Sequence, residues 1–495
     1  MRWNRAAIAL IPALLALTLR LYDLSGKPLW LDEVITHKRA LLPLSDLVTN
    51  SLINKHLPAY FLIARFFDGP MIDEWMLRFP SVIFGTLAAA MVALIASETH
   101  SPRAGLCAGT LAAVSPFEVQ FSQEARPYML LSCLVLVALW GLVRIVKASD
   151  RSGAATTPKT ALHGWAAYAI GTIGALNVLL AAAFWWLAAN LAAIVITRGK
   201  TAPPGFARRW LLMQAIILIS WLPGLLAVAL AAHGDPLKGY RWIPPATWNH
   251  VRSVVTAVYL FRPSNIATFE LLPTVVPGVG AAIVALALWG AWRLRHEPKR
   301  LSAILFALAT MPIAMAMLSI VHSFWVPRYL LWSTGPMFVL VGIGAATLPR
   351  QAFWLAEAGI VMVGIANLVP YYQTETKPRW DLAAAYLAAT AQPGDSIVAS
   401  SEAAADMLGA YGKRYHLDHA IAHGSDVAAL AARLPPQGRI WVAFGRTGQV
   451  APGSAEAYRA KWATLGTPAS TLPFGDHVVV MRFDRAGSGS SAVDP

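Results

Sequence analysis

The sequence predicts a polytopic α-helical membrane protein of about eleven transmembrane helices, with a small exterior α/β domain at its C-terminal end. Three observations carry this expectation. Hydrophobic residues make up 57% of the chain against 13% charged, and the mean hydropathy is +0.52. Apolar windows of roughly the 20 residues needed to cross a bilayer recur up to residue 370. Beyond 370 the pattern changes to helix-like and strand-like pieces separated by Pro/Gly turns.

Hydropathy places the spans at 6–22, 76–98, 104–117, 127–147, 162–177, 178–197, 209–231, 273–293, 301–321, 329–348 and 351–370. The third is short, and 162–197 reads either as two helices or as one bent helix. Arg2 and Arg5 precede the first window as they would in a signal peptide. The residues that follow, Leu19-Arg20-Leu21-Tyr22, lack a small-residue cleavage site, so a retained first helix is expected.

The formal net charge of +14 has a regular address. Arg144, Lys147, Arg151 and Lys159 share one connection; Arg198, Lys200, Arg208 and Arg209 share another; Arg293, Arg295, Lys299 and Arg300 share a third. Arg103 and Arg350 lie in two more. Every second connection is therefore basic, which the positive-inside rule reads as cytoplasmic. This predicts a cytoplasmic N-terminus and an exterior C-terminal domain. The segments 23–75, 118–126, 231–272 and 322–328 then face the exterior, and no nucleic-acid partner is needed to explain the basic excess. Cys107 and Cys133 fall inside spans as packing residues and specify neither a disulfide framework nor a zinc site.

Two exterior segments are long enough to be structured. In 23–75, Leu44–Val48 and His56–Arg65 have helical apolar spacing but are too short to span, so they are expected along the interface. In 231–272, Tyr240, Trp242, Trp248 and Tyr259 suit a headgroup belt or a sugar-stacking wall. The domain plan is a membrane domain over 1–370, an exterior α/β domain over 371–486 and a Gly/Ser-rich tail over 487–495. In the exterior domain, helices are expected near 381–390, 402–411, 427–433 and 455–465, and strands at 396–400, 439–444 and 477–482.

The chemistry-bearing residues gather on the exterior side. Asp32 and Glu33 follow the first span in Pro28-Leu29-Trp30-Leu31-Asp32-Glu33, where an interfacial acid is available as a general base. They serve equally well as a helix N-terminal cap or as partners of Lys27 or Arg39. Glu124 and Arg126 lie in Gln123-Glu124-Ala125-Arg126-Pro127-Tyr128 at the start of the fourth span, either as a site or as a surface ion pair; Glu118 is less sharply placed. His56, with Tyr60 nearby, is placed to hydrogen-bond a phosphate or hydroxyl. Arg78 opens the second span and Arg328-Tyr329 the tenth, where a guanidinium either forks onto a phosphate or snorkels. No P-loop, dinucleotide fingerprint, HExxH or GxSxG motif falls where its mechanism needs it.

These stretches resemble the GT-C glycosyltransferases, in the bacterial branch related to protein O-mannosyltransferases (glycosyltransferase family 39) and lipid A aminoarabinose transferases. The likeness is carried by Trp30-Leu31-Asp32-Glu33, His56-Leu57-Pro58-Ala59-Tyr60-Phe61, Arg78-Phe79-Pro80-Ser81 with Gly85, Ser122-Gln123-Glu124-Ala125-Arg126-Pro127-Tyr128 and Pro327-Arg328-Tyr329-Leu330. It is clearest over residues 20–135. It implies an inverting transferase that moves a sugar from a polyprenyl monophosphate to a hydroxyl of an exterior lipid, glycan or protein. Asp32 then matches the first-loop acid, the base, with Glu33 tuning or positioning it. Arg328, His56, Arg78 and Tyr329 become contacts to the donor phosphate. Glu124, Arg126 and Tyr60 orient the acceptor or sugar, and Asp32 with Glu124 would hold a divalent cation if one is used. The sequence departs from the family in having Leu57 where many relatives have proline, and a single acid at Glu124 in place of a pair, which weakens the case for a metal.

The competing reading is a membrane transporter or lipid-linked-sugar flippase without transferase chemistry. Such proteins place ionisable groups at mid-membrane and often show internal repeats. Here the polar groups gather at one surface, and no repeat is evident.

Overall fold

A computed structural model describes residues 5–150, 158–198, 205–231, 240–260, 272–424, 426–445 and 454–485. Each of the eleven apolar windows falls on a helix: Arg5–Leu21, Glu74–Thr99, Pro102–Val114, Tyr128–Asp150, Pro158–Val178, Ala182–Arg198, Phe206–Ala231, Leu272–Arg293, Pro298–Leu318, Leu331–Ala346 and Arg350–Gln373. Among the described residues six helices are long and apolar enough to cross a membrane, and shorter apolar helices cover Ile8–Leu21, Ala182–Arg198 and Gly278–Arg293. The chain is a multi-pass membrane protein. The 162–197 block resolves into two helices rather than one bent one.

The short window at 104–117 ends earlier than its hydropathy implies. Its helix stops at Val114, and a separate helix runs from Pro116 to Ser122. Pro116 disfavours helical geometry at the residue before it, so Ser115 is extended. From there the Ser115 hydroxyl accepts a hydrogen bond from the Glu118 amide at 3.4 Å and caps the new helix.

Packing divides the chain into two compact units. One comprises Met1–Leu24, Leu42–Phe67 and Arg78–Thr374; the other comprises Ser25–Leu41, Asp68–Leu77 and Glu375–Pro495. The second unit therefore takes in two pieces of the first exterior segment along with the C-terminal residues.

In the first unit Leu331–Ala346 is the central helix. The apolar window across Pro327–Ala346 is 89% buried, whereas that of Phe206–Ala231 is 17% buried and presents its side chains to lipid. The central helix packs along Leu272–Arg293 and Pro102–Val114. Its close approach to the former depends on Gly344, where a Cβ would collide with the Leu286 carbonyl. Without a hydrophobic drive between helices in lipid, such small-residue contacts supply the packing.

The second unit is built on a five-stranded mixed sheet in the order β2-β1-β3-β5-β4, with β1 Ser396–Ala399, β2 Ile421–His423, β3 Arg439–Gly445, β4 Thr467–Phe474 and β5 Val478–Asp484. β2, β1 and β3 run parallel, and β5 and β4 are antiparallel to their neighbours. Val398, Ile440, Val442, Phe444, Met481 and Phe483 form one core with Leu430 and Trp462. Of the expected strands, 396–400, 439–444 and 477–482 coincide with β1, β3 and β5. The two edge strands were not expected: β2 has three residues, and β4 carries Pro468 and Pro473, tolerated because an edge strand need not use every backbone donor.

Two helices in the exterior segments also lie outside the expectation, Leu31–Ala40 and Trp248–Tyr259, whereas Leu44–Ile53 and Ala59–Ala64 fall on the two interfacial stretches. The Gly/Ser tail from 486 onward lies outside the described residues.

Replacing Gly344 with leucine is expected to destabilise the detergent-purified protein by about 1–3 kcal/mol through overpacking. Thermal melting against the wild type measures it.

Candidate active site

The paired acids open the helix Leu31–Ala40, where negative charge complements the exposed amides of the first turn. The two side chains diverge. Glu33 is completely buried; its Oε2 lies 2.7 Å from Lys377 Nζ and accepts from the Trp30 amide at 3.3 Å. Asp32 is only half-buried. Among the sequence's alternatives, Glu33 takes up the capping role, and it also pairs with Lys377, a residue the sequence did not point to.

More bonds fix this helix within the same unit. The Leu29 amide donates to Tyr411 Oη at 2.6 Å, and Tyr411 donates to Glu74 at 3.1 Å. Glu74 also pairs with Arg414 at 2.7 Å. His37 meets Asp68 at 2.9 Å, and Lys27 donates to Thr376 at 3.2 Å. Lys377, Tyr411 and Arg414 all come from the C-terminal portion, so the segment that carries Asp32 is built into the α/β unit.

The remaining site residues belong to the membrane unit. Tyr128 is the centre of their arrangement. The guanidinium carbons of Arg126 and Arg328 each lie 5.9 Å from its ring centroid. Arg328 also lies 4.9 Å from the Trp242 ring and 5.9 Å from Tyr329. The wall behind it is braced by two histidines: His322 donates to the Tyr240 carbonyl at 2.9 Å and His250 to the Trp325 carbonyl at 2.8 Å. Arg126 and Glu124 are 6% and 5% exposed, which removes the surface-pair alternative. Their turn is closed by an Arg126 amide bond to the Glu124 carbonyl at 2.8 Å.

Other expected residues sit deeper. Arg78, 1% exposed, donates to the Leu24 carbonyl at 2.8 Å and holds the exit of the first helix. Tyr60 is fully buried and shares a 2.8 Å hydrogen bond with Ser81, which in turn reaches the Arg126 carbonyl at 3.4 Å. His56 is half-buried and stands edge-on to Phe61 with centroids 6.0 Å apart.

The sequence reading passed over Arg20 and Lys377. Arg20 is fully buried and donates to Ser122 Oγ at 2.9 Å and to the Ala113 and Ala112 carbonyls at 3.1 Å each. A lone arginine in an apolar run is the signal that marks it. Gly85 lies against this bond, since a Cβ there would come within 2.9 Å of Arg20 Nε and nearer still to Ser122 Oγ. Gln123 then ties three segments, donating to the Arg20 and Tyr22 carbonyls at 3.0 and 2.7 Å and accepting from Tyr371 at 3.0 Å. Glu118, on the short helix between spans, accepts from Thr334. Its pKa is pushed up to about 7 by burial, against the lowering effects of the Thr334 bond and the Arg20 charge. Lys377 left no local signal, because its partner lies 344 positions away.

Among the described residues no three His, Cys, Asp or Glu side chains come together as a metal-ligand group. Asp32 and Glu124, the two residues the sequence offered to a divalent cation, belong to different compact units, and no step is derived through a metal.

Residues 55–202 match the family described as dolichyl-phosphate-mannose-protein mannosyltransferase. No curated protein matches the sequence significantly. Among solved structures, ArnT from Cupriavidus metallidurans in the apo state is similar at 12% identity, covering 96% of this chain and 97% of that one with a TM-score of 0.58. The same protein bound to undecaprenyl phosphate gives 13% identity, the same coverage and a TM-score of 0.60. The GT-C resemblance read from sequence is thus borne out, in fold along nearly the whole chain and in family match over residues 55–202.

Lys377→Met is expected to cost about 3–5 kcal/mol by removing the buried cation that faces the Glu33 carboxylate, with much of the loss recovered in the Glu33→Leu/Lys377→Met double variant; urea unfolding of the two variants measures both. For Glu118, a folded-state pKa above the unfolded value means stability present at acid pH that is lost as pH rises through about 7. The melting temperature of wild type is therefore expected to fall more between pH 5 and pH 8 than that of Glu118→Gln, which keeps an acceptor for Thr334.

Proposed function

We infer that this chain is a membrane glycosyltransferase of GT-C fold that moves a sugar from a polyprenyl-monophosphate donor to a hydroxyl of an exterior lipid, glycan or protein, with inversion. The observation that carries the reading is the pair of guanidiniums, Arg126 and Arg328, drawn to one tyrosine ring in an aromatic surround. Arginine's planar fork matches phosphate oxygens, and two forks provide for the charge that develops on a departing phosphate. Two likenesses support the lipid donor: the matched family is described by a dolichyl-phosphate sugar, and the similar fold of ArnT is known with undecaprenyl phosphate bound. Neither favours the transporter or flippase alternative.

In the proposed reaction Asp32 removes the proton of the acceptor hydroxyl, whose oxygen attacks the anomeric carbon. The bond from that carbon to the phosphate oxygen breaks, and the polyprenyl phosphate leaves with the electron pair. A phosphate leaving group is stable as an anion at neutral pH, so one base suffices and no second acid is required. Arg328 and Arg126 balance the leaving charge, with His56 and Tyr329 as further donor contacts. Glu124 orients the acceptor. Glu33, Arg78 and Tyr60 are proposed as positioning residues, because their polar atoms hold Lys377, the Leu24 carbonyl and Ser81 respectively.

The basic connections support an orientation in which they face the cytoplasm of a bacterial inner membrane, with the N-terminus on that side and the C-terminal domain in the periplasm.

With a radiolabelled polyprenyl-phosphate sugar and an envelope lipid extract, Asp32→Asn is expected to reduce transfer by ~10²–10⁴-fold while leaving expression and melting unchanged. Wild-type turnover in that variant would remove Asp32 from the chemistry.

A further inference from the structure

At the far end of the same helices lies a cavity that the transfer reaction does not use. It has a volume of about 680 Å³ and lies within the membrane unit. Its polar end is formed by His100, Ser101, Arg103 and Arg350, and its wall by Ile8, Leu106, Phe353 and Trp354. The 16 residues of Leu331–Ala346, rising 1.5 Å each, set it about 24 Å along the central helix from the Arg328 end. It is therefore distinct from the candidate active site.

The lining is chemically two-sided. Arg103 lies with its guanidinium carbon 5.7 Å from the Phe353 ring, and among the described residues neither Arg103 nor Arg350 has an acidic partner. Both side chains are exposed. They stand at the starts of the helices Pro102–Val114 and Arg350–Gln373, whose first-turn amides add positive potential at the same end. Burial, and after it the Arg293 charge, lowers the pKa of His100, so at neutral pH the charge lining the cavity is that of the two arginines. The opposite wall is aliphatic and aromatic, and Trp354 is 48% exposed at its lip. A cationic end continuous with an apolar wall fits an amphiphile with an anionic head. The cavity is also far larger than a small inorganic anion needs, one water taking about 30 Å³.

We propose that this cavity is a binding site for one anionic phospholipid, with the phosphate headgroup between Arg103 and Arg350 and the start of an acyl chain along Ile8, Leu106 and Phe353. The lipid belongs to the leaflet faced by the basic connections. It is a bound lipid of the fold, separate from the sugar donor and not dependent on the assignment of the reaction.

The test is native mass spectrometry of the full-length chain, purified in mild detergent and titrated with phosphatidylglycerol, phosphatidylcholine or inorganic phosphate. Wild type is expected to retain one phosphatidylglycerol in preference to phosphatidylcholine, and inorganic phosphate is expected neither to displace it nor to raise the melting temperature. Arg103→Gln/Arg350→Gln is expected to weaken retention about thirtyfold, roughly fivefold for each arginine near an anionic surface. Ala346→Trp, which fills the cavity without altering charge, is expected to abolish retention. Arg208→Gln/Arg209→Gln, the same charge change on another basic connection, is expected to leave it intact. Equal retention by the Arg103/Arg350 double variant, equal loss in the Arg208/Arg209 control, or equal binding of phosphatidylcholine would each overturn the site. Stabilisation by inorganic phosphate alone would replace the lipid with a simple anion.

Discussion

Two adjacent acids with opposite fates fix how the helix Leu31–Ala40 is built into the α/β unit. Glu33 and Asp32 are consecutive in the first turn of one helix, where side chains about 100° apart point into different surroundings. Glu33 turns into the unit and meets Lys377 at 2.7 Å; Asp32 remains half-buried. A buried ion pair is weak evidence for net stability, but breaking one is expensive. Its consequence is registry: with Glu33 fixed by Lys377 and the Trp30 amide, the helix cannot rotate without stranding a charge. Asp32 then has one direction available to it. Tyr411, Glu74 and Arg414 repeat the same device at the neighbouring segment, joining residues far apart in sequence by bonds short enough to fix them.

The membrane unit answers a different constraint. Lipid cannot satisfy backbone or charged groups, so a charged side chain among the spans depends on partners within the protein. Arg20 uses its guanidinium on Ser122 and two backbone carbonyls, and Gln123 closes the gap to Tyr371 on the last span. These bonds hold the segment 115–128, which is buried almost throughout. Arg126 and Arg328 are thereby presented by a rigid turn and by the short helical turn Pro327–Leu330, not by mobile loops. Under the proposed reaction, preorganised charge of this kind is worth more than the same charges in water, because it needs no rearrangement as the leaving group develops.

Periodicity and hydropathy made the spans legible, since a bilayer imposes a length and a polarity that no other environment does. All eleven windows fall on helices, and the boundary missed at Ser115-Pro116 arose because apolar content continues through a proline that restarts the helix. Strands with a buried face, β1, β3 and β5, were equally readable. β2 and β4 were not, because a three-residue strand and a proline-bearing edge strand exist only by virtue of the neighbours they pair with. The same distinction runs through the site. Asp32, Glu124, Arg126 and Arg328 could be named as candidates because short motifs place them at or just before helix starts. Lys377 and Arg20 were missed: Lys377 acquires meaning only through a partner hundreds of residues distant, and Arg20 is, in sequence, a single charge near the end of an apolar run. Tyr60 and Arg78 carried a motif, yet their burial belongs to tertiary packing that no local pattern records.

The separation of roles between the two acids can be read from specific activity per folded molecule in the chain where Glu33 and Lys377 are both replaced by leucine. A buried pair exchanged for apolar side chains leaves no orphaned charge, so if Glu33 serves only to hold the helix, sugar transfer should stay within about tenfold of wild type. Loss of transfer by a hundredfold or more in a fully folded sample would make Glu33 a participant in the chemistry and contradict the account.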